Sequence, residues 1–132
     1  MLSLTVSDIV YQWYIIGWCD IVVRRVKSGW TKAKVGDSLK INSVGSGTSM
    51  KFEIKSLQYS NTIDNLVKGD NYLKICSTAA SVASAKHYVA KTMHFIYGTP
   101  PVEGEMFVAA QISPTELGTT ESYLYTSKNS ST

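Results

Sequence analysis

A chain of 132 residues suffices for one domain and can bury about two-thirds of the surface its unfolded form exposes, so folding requires neither metal nor disulfide. Apolar residues at 44% with charged residues at 17% exclude a disordered chain, and the longest apolar run, Trp13 to Trp18, falls short of the roughly 20 residues a membrane helix needs. The net charge of +3 is uneven: residues 1–101 hold twelve Lys/Arg against six Asp/Glu, whereas residues 102–132 set Lys128 against four glutamates. A basic body of this kind draws anionic partners, and the acidic end neutralises part of it within the same molecule. The start, Met1-Leu2-Ser3-Leu4, lacks the basic beginning and small-residue cleavage site of a signal peptide, so the expected location is cytoplasmic or inside a larger assembly, with no membrane partner.

In chain order, Tyr11, Trp13 and Ile15 alternate as along one strand and read as core. The wider crowd of Tyr11, Trp13, Tyr14 and Trp18 also suits a protein interface or base stacking. Ile21-Val22-Val23 is a β-branched run for a buried strand. Leu39 and Ile41 alternate with Lys40, and Met50, Phe52 and Ile54 alternate with Lys51, Glu53 and Lys55, the pattern of half-buried strands. Gly69-Asp70-Asn71 is a tight turn leading to a strand at Tyr72–Cys76. Residues 78–86 read as a short helix or turn and 87–97 as a strand, because Tyr88 to Tyr97 is rich in aromatic and β-branched side chains. A helical alternative exists: Val82, Ala85, Val89, Met93 and Ile96 fall at helical spacing before Gly98. Glu105–Ile112 is a further strand. Ser113-Pro114-Thr115-Glu116 is a capping-box signature worth one helical turn, Tyr123-Leu124-Tyr125 can dock on the body, and Ser127–Thr132 reads as loose.

Chemistry is sparse. Cys19 and Cys76 have no metal-ligand spacing and read as buried free thiols, and no pairing with His87 and His94 makes a zinc motif. As a strand, 87–97 sends the two histidines to opposite faces, and His94 between Met93 and Phe95 reads as a wall residue rather than a base. Gly45-Ser46-Gly47-Thr48-Ser49-Met50-Lys51 lacks the glycine that a phosphate-binding loop places before its lysine, so it reads as a hairpin loop. No serine sits in a nucleophile-elbow context. The expectation is a protein without catalytic residues, metal site or cofactor.

Two segments resemble the second-domain β-barrel of translational GTPases of the elongation factor Tu type. The first is Arg25-Val26-Lys27-Ser28-Gly29 with Lys34-Val35-Gly36-Asp37-Ser38-Leu39-Lys40-Ile41; the second is Glu53-Ile54-Lys55-Ser56-Leu57-Gln58 with Val67-Lys68-Gly69-Asp70-Asn71-Tyr72. The resemblance covers about residues 15–76 and departs from the family where its glycine-arginine-glycine loop reads Gly17-Trp18-Cys19. It implies an antiparallel barrel without a GTPase domain and puts the family's transfer-RNA role in doubt.

The expected molecule is therefore mainly β: an antiparallel translation-factor-like barrel over residues 1–112 with a short helical turn, and a polar C-terminal extension over 113–132. It is expected to bind RNA or a ribonucleoprotein through Lys27, Trp30, Lys32, Lys34, Trp18 and Arg25, where rings beside cations suit stacked bases and phosphates. The alternative is a structural or assembly protein, such as a phage-particle component, that uses the barrel for protein contacts. Strand geometry sends Arg24 and Arg25 to opposite faces, so only one can join a given surface.

Overall fold

The computed structural model describes residues 2–102 and 104–115. Its elements are β1 (Leu2–Val6), α1 (Asp8–Ile15), β2 (Ile21–Arg25), β3 (Ser38–Ser43), β4 (Ser49–Ser60), α2 (Tyr72–Ile75), α3 (Val82–Tyr97) and β5 (Phe107–Pro114), with single 3-10 turns at Ser28–Lys32 and Ile63–Asn65. The five strands form one sheet in the order β1-β3-β4-β5-β2. β1 runs parallel to β3 and every other pairing is antiparallel, so the sheet is mixed rather than purely antiparallel as expected.

The expected alternation in β3 and β4 is present. Leu39, Ile41, Met50, Phe52 and Ile54 are all buried, while Lys51 and Lys55 face solvent. β4 is the spine, pairing its first half with β3 and most of its length with β5. Its register against β5 shifts between Ile54 and Ser56. A bulge bends a strand and sharpens its twist, and here it turns the sheet into a curled half-barrel. The curl leaves β1 and β2, the two edge strands, flanking an open seam.

Three helices replace expected strands. Tyr11–Ile15 lies in α1, where the Ser7 side chain accepts a hydrogen bond from the Val10 N–H and caps the first turn. Tyr11 and Trp13 are core, as expected, but from a helix, which buries Tyr14 with them and leaves Ile15 only partly buried. Tyr14 packs edge-on against Phe52 with ring centroids 6.4 Å apart, and Trp13 meets Tyr88 at 6.2 Å. Residues 72–75 form the single turn α2. Asn71 organises it, accepting from the Lys68 N–H and donating its amide to the Leu66 carbonyl.

Residues 87–97 are the larger correction, since they form most of α3. The Ser81 side chain caps its start by accepting from the Ser84 N–H, and Gly98 ends it at φ 81°, donating its N–H to the His94 carbonyl. That left-handed C-cap favours glycine because a Cβ there is strained. Ala85, Val89 and Met93 make the buried stripe, and this packing outweighs the strand preference of the aromatic and β-branched residues between them.

At the other end, Ser113 and Pro114 continue β5, and the Thr115 N–H bonds to the Lys51 carbonyl. The expected helical turn is therefore not formed through Thr115; Glu116, Tyr123–Tyr125 and the rest of the tail lie outside the described residues.

Candidate functional site

The open seam holds a cavity of about 500 Å³, walled by the end of β1 (Thr5, Val6), by β2 (Ile21, Val23, Arg24), by Tyr14 of α1 and by a stripe along α3. A second cavity of about 410 Å³ shares Thr5, Arg24 and Ile96 with the first and continues past Lys27 and Trp30. Both volumes lie in the range of small-molecule sites. α3 thus carries two stripes: one enters the core, and the other (His87, Tyr88, Lys91, Thr92, Phe95) lines the seam.

Arg24 stands at the junction of the two cavities. It is 8% exposed; its Nη1 donates to the Val23 carbonyl at 2.9 Å and its Nε is buried without a partner. Among the described residues, no aspartate or glutamate lines either cavity. A buried guanidinium normally finds a carboxylate, because an unpaired buried charge is costly. Its positive field reaches the tyrosines of the seam. Burial raises the pKa values of Tyr14, Tyr88 and Tyr97, and the Arg24 charge opposes that shift at all three. Their hydroxyls remain protonated at neutral pH and available as donors.

The hydroxyls of Thr5, Ser7, Ser84 and Thr92 complete a lining of cation, donors and aromatic faces. Such a lining can hold an anionic group on the guanidinium and a flat ring against the tyrosines.

The residues singled out from sequence are dispersed relative to this cleft. Arg25, one position from Arg24, is 1% exposed and points to the other side of β2, as strand alternation requires. There its Nε meets Glu105 at 3.2 Å, Nη1 donates to Thr99 Oγ1, Nη2 to the Pro100 carbonyl, and the guanidinium lies 5.0 Å from the Tyr97 ring centroid. It is spent on holding the segment between α3 and β5. Trp30 is 5% exposed and packs in the core, so only an edge of it borders the second cavity. Lys27, Lys32 and Lys34 are exposed on the loop after β2. Trp18 is 60% exposed, on the α1–β2 connection, and lines neither cavity.

Arg24, Tyr14, Tyr88 and Lys91, which dominate the cleft, were not among the site residues drawn from sequence. For Tyr88 and Lys91 the legible signal is the helical spacing of 84, 88, 91 and 95, visible only if 82–97 is read as a helix; Tyr14 belongs to the aromatic crowd already visible in the sequence. Cys19 and Cys76 are buried free thiols, and burial pushes the Cys19 thiol up to about 11. Among the described residues no helix is long and apolar enough to cross a membrane.

A scan against protein-family models finds no match, and neither does a comparison with curated proteins. Solved structures do resemble the chain. Hypothetical protein PH0355 superposes with a TM-score of 0.65 at 12% identity, covering 86% of this chain and 97% of its own. Protein EF3133 from Enterococcus faecalis V583, of family DUF984, gives 0.63 at 9% identity, covering 100% of this chain and 86% of its own. An ASCH domain from Lactobacillus crispatus gives 0.61 at 12% identity over 86% of this chain and 79% of its own. The chain shares the fold of these proteins.

These likenesses overturn the expected kinship with the elongation factor Tu barrel, which is a different fold. The residues that suggested it are turn chemistry common to many hairpins. The Lys34 N–H donates to Asp37 Oδ2 across Gly36 at φ 96°, and Gly69-Asp70-Asn71 leads into α2 instead of a barrel strand.

Proposed function

We propose that this protein is a non-catalytic module that binds single-stranded RNA, with one nucleotide seated in the seam between β1 and β2. The observation that carries the reading is Arg24: a buried guanidinium with an unpartnered Nε, in an aromatic-walled cleft that no carboxylate lines among the described residues. A phosphate can pair with the Arg24 charge, which borders both cavities, and the half-buried Tyr88 supplies a ring for a base. Binding rather than turnover fits the lining. Acid–base catalysis needs two titratable groups converging on one atom, and among the described residues the first cavity is lined by a single histidine, His87, with no carboxylate or cysteine beside it.

The test is fluorescence anisotropy with labelled hexauridylate at low salt. Arg24→Met should abolish most binding and Arg25→Met should leave it within about twofold, because a charge-assisted contact is worth about 1.5–3 kcal/mol. Equal loss from both variants, or no binding by the parent, refutes the reading. A protein-assembly role is favoured by a separate observation, the exposed Trp18, Ile16 and Leu73 around the α1–β2 connection and α2. Light scattering of the parent and of Trp18→Ser examines it: a parent that is monomeric at high concentration removes self-assembly.

A further inference from the structure

We infer that the strand seated at Arg24 runs along the outer edge of β1, and that its phosphates leave Arg24 along Lys27 and Lys32. This rests on the reading of the seam as a nucleic-acid site. Three cavities adjoin in series along the outer edge of β1. The first touches its end at Thr5 and Val6, the second spans Leu2 to Thr5, and a third of about 330 Å³ touches Leu2 together with Gly29 and Lys32. At about 3.3 Å per residue, the five residues of β1 border a groove about 16 Å long. That is more than one nucleotide occupies.

The walls suit a strand. The Val6 carbonyl accepts from Val44, and the Leu4 carbonyl accepts from the Asn42 side chain, both on the β3 side. By strand alternation the main-chain groups of Ser3 and Thr5 therefore face the seam, where donors and acceptors at regular spacing can meet base edges. Across the groove, the Val23 carbonyl is already occupied by Arg24 and the Arg25 carbonyl by the Lys27 N–H. At the far end Gly29 lies against Leu2, where a Cβ would stand 2.7 Å from Leu2 Cδ2, the tip of a side chain that can turn aside. Lys27 and Lys32 border the groove on either side of it.

The charge along it is Arg24, Lys27 and Lys32, with Lys91 in the first cavity. Asp37, which accepts from the Lys34 N–H, sets one negative charge against these in the third cavity. An anionic strand fits this line, and stacking plus phosphate contact is how single-strand grooves work.

The experiment titrates the full chain with uridine 5′-monophosphate and with labelled di-, tetra- and hexauridylate over a range of salt. Affinity should rise at least about tenfold from di- to tetranucleotide, since each further stacked base is worth that much. Lys27→Ala with Lys32→Ala should flatten the tetranucleotide salt slope by about 1.4, two single-strand contacts at about 0.7 each, and leave the mononucleotide unchanged. Both lysines are exposed, so the variant keeps the fold. Arg24-dependent mononucleotide binding with no gain on lengthening overturns the strand inference and leaves the seam site standing. No binding by any of the four at low salt overturns both. Equal affinity for a polyglutamate peptide, added to an unpaired strand edge, makes the occupant an acidic peptide and also overturns the inference.

Discussion

Arg24 and Arg25 are adjacent in sequence and have opposite assignments, so their variants should fail in opposite ways. Arg25 is held by Glu105, Thr99 and the Pro100 carbonyl, with its side chain 2% exposed and that of Glu105 23% exposed. Removing one member of a buried pair costs about 3–5 kcal/mol; partial solvation of Glu105 lowers the expectation for Arg25→Met to about 2–4 kcal/mol. With a urea m-value of about 2 kcal/mol per molar, the midpoint should fall by about 1–2 M. Arg24→Met removes one bond to the Val23 carbonyl, worth about 1 kcal/mol, and removes the unpartnered Nε, whose burial costs a similar amount or more. Its stability should stay within about 1 kcal/mol of the parent.

The assay is urea unfolding followed by tryptophan fluorescence, which reports on the buried Trp13 and Trp30. The pair Arg25→Met with Glu105→Gln should recover about half the loss, because the stranded carboxylate is gone. If Arg24→Met costs more than about 3 kcal/mol while Arg25→Met costs under about 1, the two assignments are inverted and the reasoning about the seam fails.

Phe52→Ala should cost about 3–5 kcal/mol in the same assay, since Phe52 is buried on β4 and meets Tyr14; a loss under about 1 kcal/mol contradicts the register. Asp8 binds the Ser43 hydroxyl and the Gly45 and Ser46 N–H groups, and the Ser43 bond leads in holding its pKa below 3.8. The stability it contributes is present above about pH 4 and is lost as pH falls through its lowered value. Amide shifts of Gly45 and Ser46 should therefore move only at the acid end, and Asp8→Asn should remove that step; a step retained in the variant refutes the link. With its thiol at about 11, Cys19 should label with an aromatic disulfide reagent far more slowly at pH 8 than in urea, and equal rates refute its burial.

The strands that alternate cleanly were legible, since Met50-Phe52-Ile54 and Leu39-Ile41 need only a period of two to choose their buried face. The segment 87–97 was not, because two signals conflict there. Composition favours a strand, while the buried Ala85, Val89 and Met93 with Gly98 beyond them favour a helix. The buried stripe decides, and the left-handed glycine then satisfies the helix's last carbonyls locally. Tyr72–Cys76 was misread for a related reason. The turn before it was recognised, but an asparagine that bonds back to Leu66 and Lys68 winds the chain onward into a helical turn as readily as into a strand.

The site was less legible than the fold, because a seam is made by what fails to pair. β1 and β2 are the two ends of the sheet order, and nothing local to either segment marks it as an edge. Alternation states that Arg24 and Arg25 diverge; it does not state which one meets a carboxylate, since Glu105 lies eighty positions away in the chain. Only the bulge in β4, which curls the sheet, brings Thr5, Arg24 and the outer stripe of α3 around one space. A cation left unmatched in that space is therefore a property of the assembled sheet. It also explains why basic residues chosen for their exposure, Lys27 and Lys32, border the groove without forming its centre: the residue best placed to grip an anion is the one the fold has most nearly buried.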